Sequence, residues 1–490
     1  MRLGLIGALA VTLAIAIAFG VADASYTLAA ITTAAILWLI VEWVHGPLPD
    51  AVVLVITLAG YIVGNRGFAQ ISLTTTLPLL PAEAALLVCV SALILRWAFK
   101  QVPMFTTDGL NIAIGIWIAL GLSRLPLDLR RHGFLALRDF ATVYYAAFFF
   151  IAQALARHEK SRILMRRGLG NALGMLPLVS AAFILAPGVF LDHLTVRGVP
   201  LVYLKGDLAA AFLAGGFFYF WSWYETRGLR WWLIPASICL LMSPNVGSPR
   251  SAMIGTIMVS LGWIAVRRIR LLGFQAALVT AALIAVLPVL AVTNKDFKDT
   301  PLYSIYEHAI SIFDLAGRGE YRHAETGDPG DNNRFRLVWW RSVVDDTLEN
   351  GPVFGLGFGA DLAARFLVEY DMLAVDDFNA RSPHSILMSM FGRMGFAGLF
   401  SFLAIAAMMV RFTWPAFRRW DFESMGLWSV AWVLWFSACF GVVLEGPMGA
   451  VVFWTVLGIA HESTQRAAQE VEEEVPETAL EADSEAVPVI

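Results

Sequence analysis

The chain has 490 residues, 58% of them hydrophobic and 15% charged, with a mean hydropathy of +0.68. That is too apolar for a soluble protein and indicates an all-α, polytopic transmembrane helix bundle, since hydrocarbon admits only elements that satisfy their own backbone hydrogen bonds. With 35 Lys and Arg against 39 Asp and Glu, the net charge of −4 gives no footing for nucleic acid as a partner.

Apolar runs of about 15–25 residues place candidate spans at 3–22, 25–44, 50–65, 81–99, 104–122, 140–156, 173–190, 208–224, 231–242, 251–266 and 271–292. After a long loop they resume at 386–410, 425–442 and 448–460. Several are short, so the expected count is about 12–14. The first run lacks a small-residue cleavage site and reads as a helix rather than a removable signal. Cys89, Cys239 and Cys439 lie far apart within apolar runs and read as small core hydrophobes. The chain thus divides into an N-terminal bundle (1–292), a loop (293–383), C-terminal spans (384–461) and an acidic, unfolded tail (462–490).

Basic residues set the orientation. Arg96 with Lys100, the run 157–167, Arg227 with Arg230, and the runs 267–270 and 411–419 all fall on one side of these spans. By the positive-inside bias that side is the cytoplasm, which puts both termini there and the loop 293–383 in the periplasm, with the protein in the bacterial inner membrane. The turn from Arg124 to Arg138 breaks the bias: either a span boundary is displaced, or anionic groups are met on the outer face.

The loop is longer than a plain connection requires and has a helical period of its own. Asp331 or Asn332 is placed to cap a helix in which Leu337, Trp340, Val344 and Leu348 form an apolar stripe, and Gly351-Pro352 ends it. Arg334 and Arg341 share one face of this helix, and Arg336 lies on another. Arginine suits a pyrophosphate because its planar fork donates paired hydrogen bonds and stays charged; pairing with Asp345, Asp346 or headgroups is the alternative. In the turn Gly355-Leu356-Gly357-Phe358-Gly359, glycines allow backbone N–H groups to approach an anion or the turn to pack closely on the spans. His384 follows Ser382 and Pro383. Serine as cap and proline at the first position would put the imidazole in the first helical turn, where the positive helix end favours its neutral form and attracts anions.

Taken in order, Arg336 to Trp340, GPVFGLGFG and SPHSILMSMFGRMGFAGL resemble the O-antigen ligase and polymerase superfamily of bacterial membrane glycosyltransferases. There an Arg-x-x-x-Trp helix, a Pro-x-x-Gly-x-Gly turn and a His-led helix occupy a large periplasmic loop. Upstream, SPRSAMIG is similar to the family's Ser-Arg motif and brings in Arg250, while VRGVPLVYLKGDLAA is similar to its Arg-x-x-Gly segment and brings in Arg197. Around Lys205 to Asp207 the family's Asn-containing ending is replaced. Ser385 stands where most relatives have Asn, and Arg393 where many have an acid.

The resemblance implies a GT-C-like bundle with amphipathic helices in the periplasmic loop. It implies a glycan donor on undecaprenyl pyrophosphate and an acceptor hydroxyl on a lipid or glycan, joined with inversion and without metal or other cofactor. His384, Arg336 and Arg250 would carry the chemistry, and Arg334, Arg341, Arg197, Gly355 and Gly357 would bind substrate. Ligase and polymerase share donor and chemistry and differ in acceptor. A transporter, the third alternative, would place ionisable groups near the bilayer midplane, where these spans have almost none.

Overall fold

A computed structural model of the chain describes residues 47–72, 80–100, 105–247, 250–293, 296–314, 329–369 and 381–474. The spans expected at 3–22 and 25–44 and the tail beyond 474 lie outside the described residues. In chain order the main helices are α1 (Leu48–Gln70), α2 (Pro81–Lys100), α3 (Gly109–His132), α4 (Phe134–Ala156) and α5 (Glu159–Leu185). A two-residue-per-strand hairpin, β1 (Thr195–Val196) and β2 (Val199–Pro200), leads to α6 (Gly206–Arg227), α7 (Leu233–Met242), α8 (Arg250–Ala265) and α9 (Arg270–Thr293). The loop carries α10 (Pro301–Ser311), α11 (Pro329–Asn350) and α12 (Ala364–Glu369), and α13 (Ile386–Arg419), α14 (Phe422–Cys439) and α15 (Pro447–Glu474) complete the bundle.

Among the described residues seven helices, α1 to α5, α9 and α13, are long and apolar enough to cross a membrane. The bundle is all-α and polytopic. Its axis is α6, where every residue from Leu208 to Ser222 is buried, as befits a helix apolar on all sides. Helix α14 lies along it at the closest range small residues permit: a Cβ on Gly426 would sit 2.1 Å from Ser222 Oγ. At the other extreme, only 6% of the apolar window of α9 is buried, leaving its side chains for lipid.

Three boundaries differ from expectation. Arg124 to Arg131 continue α3, which ends at His132, and Gly133 turns the chain into α4 with a φ of 58°; the supposed turn is mostly helix. Helix α15 runs to Glu474, so the start of the tail is folded: Thr464 accepts from Trp428 Nε1 at 2.9 Å and Glu462 pairs with Arg157 at 3.7 Å. These contacts supply the burial that the tail's own composition lacks.

In the loop, α11 begins at Pro329 rather than after a cap at 331 or 332, and ends before Gly351 as expected. Its buried face runs through Trp339, Ser342, Val343 and Thr347, whereas Leu337 and Leu348 are exposed. The apolar stripe is thus rotated by one residue, because α12 offers Phe366, and the turn before it Leu362 and Ala363, to Trp339 and Val343 as a small separate core. Trp339 stacks on Phe366 with centroids 5.4 Å apart and donates Nε1–H to Leu362 O at 2.8 Å.

Candidate functional site

On α11, Arg336, Trp339 and Trp340 are three and four residues apart and share a face. Trp340 reaches the entry of α13, donating Nε1–H to Pro383 O at 2.7 Å. The flanking residues are held as well. Ser382 Oγ donates to Glu445 Oε2, Ser389 Oγ donates to Glu445 Oε1 at 2.6 Å, and Ser385 caps α13 by accepting from Met388 N at 3.5 Å. Ser385 and not Ser382 is therefore the cap, and His384 precedes the helix instead of occupying its first turn. The long-range partners of Ser382 and Pro383 decide this, and local sequence does not contain them.

Pinned on both sides, His384 adopts a φ of 54°, in the left-handed region that costs a non-glycine residue about 1–2 kcal/mol. Such an outlier persists only where its surroundings over-determine it. The imidazole lies 5.7 Å from the Trp339 ring. Burial, then the positive charges of Arg336 and Lys205, push its pKa down to about 4. At neutral pH it is an uncharged imidazole.

Arg336 Nη1 donates to Phe440 O at 2.8 Å, the carbonyl at the C-cap of α14, a position where helices leave acceptors unsatisfied. Its Nε is buried with no hydrogen-bond acceptor, and among the described residues no carboxylate pairs with it. Burial and the neighbouring charge of Arg250 lower its pKa to about 10, which leaves it cationic at neutral pH. Arg250 begins α8 and donates to Asn333 Oδ1 at 2.9 Å, while Asn333 Nδ2 donates to Ser311 O at 2.8 Å and Asp314 O at 2.9 Å. One asparagine thus ties α8, α10 and α11 together and brings two guanidinium groups to one place. Glu445, half-buried beside the α13 entry, has its pKa raised by burial against the opposing serine hydrogen bonds.

The remaining candidates sit apart. Arg334 and Arg341 are on the exposed face of α11, and Arg341 pairs with Asp345 at 3.7 Å. Arg197 is the first residue of the hairpin turn, where it and Gly198 both have positive φ, as a two-residue hairpin loop demands; its Nη1 donates to Ser72 O at 3.2 Å. In the glycine turn, Gly355, Gly357 and Gly359 all have positive φ. Its N–H groups are consumed by protein acceptors: Gly355 N by Gly351 O at 2.7 Å, Gly357 N by Arg393 O at 3.1 Å, Phe358 N by Asp128 at 2.8 Å and Gly359 N by Asp139 at 3.1 Å. Gly355 and Gly357 thus pack the loop onto α13, whose own Gly395 breaks the helix with a φ of 61° to receive it. Arg124 donates to Phe354 O, which sets the end of α3 on the same face as this loop.

Residues 236–403 match the family model described as O-Antigen ligase. That match spans about a third of the chain and agrees with the resemblance carried by its ordered motifs. No curated protein matches it. The matched stretch runs from α7 into α13 and so contains Arg250, Arg336 and His384. Three further groups lie close to that cluster: Lys205 and Asp207, to which the sequence assigns no role, and Glu445, which it offers only as one of several scattered outer-face acids beside Asp376 and Asp377. The first two stand where the chain departs from the family's segment, and the serine partners of Glu445 tie it to the α13 entry.

Proposed function

We propose that this protein belongs to the O-antigen ligase and polymerase superfamily and transfers a glycan from undecaprenyl pyrophosphate to an acceptor hydroxyl at the periplasmic face of the inner membrane. The observation that carries the reading is Arg336: a guanidinium beside a second guanidinium, its Nε without an acceptor, and a neutral imidazole within its field. A guanidinium with a like charge beside it, its Nε without an acceptor and no carboxylate paired with it among the described residues, is costly unless an anion completes it. A diphosphate has the charge and the oxygen spacing for two forks.

In this reaction the acceptor oxygen attacks the anomeric carbon while the bond to the diphosphate oxygen breaks on the opposite face. The hydroxyl proton passes to His384, and the departing diphosphate takes the bonding electrons, its growing charge met by Arg250 and Arg336. Transfer by the purified protein from a polyprenyl-diphosphate glycan to a defined acceptor is the direct test; its absence with every acceptor tried, in a folded preparation, refutes the reading. The arginine account further requires that transfer persist in excess EDTA. Dependence on added Mg²⁺ or Mn²⁺ would instead turn attention to Asp376 and Asp377, which lie outside the described residues.

A lipid A core acceptor makes the protein a ligase, and a lipid-linked repeat makes it a polymerase. A deletion strain distinguishes them: loss of a ligase leaves long chains on the carrier lipid, and loss of a polymerase leaves single repeats at the surface.

A further inference from the structure

Helix α6 starts at Gly206, and the residues on either side of that glycine are Lys205 and Asp207. The chain there is held in place by packing on both sides of the glycine. Gly206 lies against Gly247, so closely that a Cβ on Gly206 would sit 2.6 Å from Gly247 Cα; Gly247 is three residues before Arg250. The backbone N–H of Lys205 donates to Asn65 Oδ1 at 3.0 Å. Asn65 is itself fully buried at a φ of 53°, directly after the π-helical turn Gly60–Gly64 of α1. A strained asparagine and a glycine-to-glycine contact therefore position this lysine beside the start of α8.

The ammonium of Lys205 pairs with Asp207 Oδ2 at 3.3 Å, both side chains being partly exposed. The charge of Lys205 reaches His384 and Glu445, and that of Asp207 reaches Arg336 and His384. The pair thus borders the cluster that holds the proposed diphosphate. We propose that Lys205 is a third cation of the diphosphate site and that Asp207 is its resting counter-ion, displaced as partner when the diphosphate arrives. This rests on the reading of Arg250 and Arg336 given above. A lysine suits the role, because its ammonium is a compact point charge on a flexible stem and can exchange one anionic partner for another.

Binding of free pyrophosphate and of a short polyprenyl diphosphate to the detergent-purified full-length protein tests the proposal, with thermal stability measured alongside. Lys205→Gln is expected to weaken both ligands about tenfold, Lys205→Arg to bind nearly as wild type, and Asp207→Asn to bind about threefold more tightly, since a competing anion is removed. Wild-type affinity in Lys205→Gln overturns the assignment. So does equal weakening in Lys205→Gln and Asp207→Asn, the signature of an ion pair that only braces α6. A loss with polyprenyl diphosphate alone assigns the site to the lipid-borne group; a loss with both ligands assigns it to the diphosphate itself. If Arg250→Ala and Arg336→Ala bind both ligands as wild type, the diphosphate reading itself falls and takes this inference with it. If those variants lose binding and Lys205→Gln does not, only the role of Lys205 falls.

Discussion

Two arginine constellations stand on the same side of the bundle, and they differ in the acceptors that their guanidinium groups meet. Around the glycine turn, Arg393 pairs with Asp139 and Arg124 pairs with Asp128 at 3.1 Å, and the same carboxylates accept the N–H groups of Phe358 and Gly359. Around His384, Arg250 and Arg336 meet an amide oxygen and a main-chain carbonyl, and their charges repel. The first set is closed electrostatically and fastens the loop to α13; in the second, Arg336 keeps an Nε without an acceptor, where the proposed anion would bind. Arginine as a residue type is uninformative here, and the partner is what separates scaffold from chemistry.

The sharpest way to break this contrast is to remove the proposed base. His384→Ala should lower transfer about 10²–10⁴-fold while the protein still inserts and still binds the lipid diphosphate; near-normal turnover would end the assignment. Next come Arg336→Ala and Arg250→Ala, each expected to cost about 10²–10³-fold in turnover. Lysine at either position should restore only part, because a point charge does not reproduce the paired hydrogen bonds of a guanidinium. Full recovery with lysine would show that net charge alone suffices.

Arg393→Met and Asp139→Ala should behave oppositely. Each leaves a buried charge alone and should destabilise the fold by about 3–5 kcal/mol, seen as a lowered melting temperature in detergent, with little change in turnover per folded molecule. A fall in turnover at unchanged stability would move Arg393 into the site.

The pH profile gives a smaller and more discriminating effect. With a pKa near 4, the free enzyme's imidazole is already neutral above about pH 5, so kcat/KM should stay flat from pH 8 down to about 5 and fall below it. An unperturbed histidine would begin to lose activity near 6.5. Arg336→Ala removes one of the causes and should move the acid limb upward, though burial keeps it below 6.5. Smallest of all should be Arg341→Ala, since an exposed pair with Asp345 is worth about 0–1 kcal/mol and the side chain faces away from the cluster.

Much of this was legible in the sequence. The membrane class follows from composition, and the ordered motifs single out Arg250, Arg336 and His384, which the fold brings together through α8, α11 and the α13 entry. What escaped depends on partners distant in the chain. Ser382 reads as a helix cap until Glu445, 63 residues away, takes its hydroxyl. The rotation of α11 follows from Phe366 and Leu362, which no periodicity within α11 records. The glycine turn was ambiguous between cradle and packing element because glycine permits both; the carboxylates that fill it lie 220 and 230 residues upstream.

The electrostatic setting of His384 bears on when the reaction is permitted. An imidazole depressed by burial and by two cations is a feeble proton acceptor while the site is empty. On the proposed reading, a bound diphosphate offsets those cations and makes the imidazolium easier to form, so the limb in kcat should lie above that in kcat/KM. The donor then supplies the basicity that its own transfer requires, and an acceptor or a water molecule arriving first finds nothing ready to take its proton.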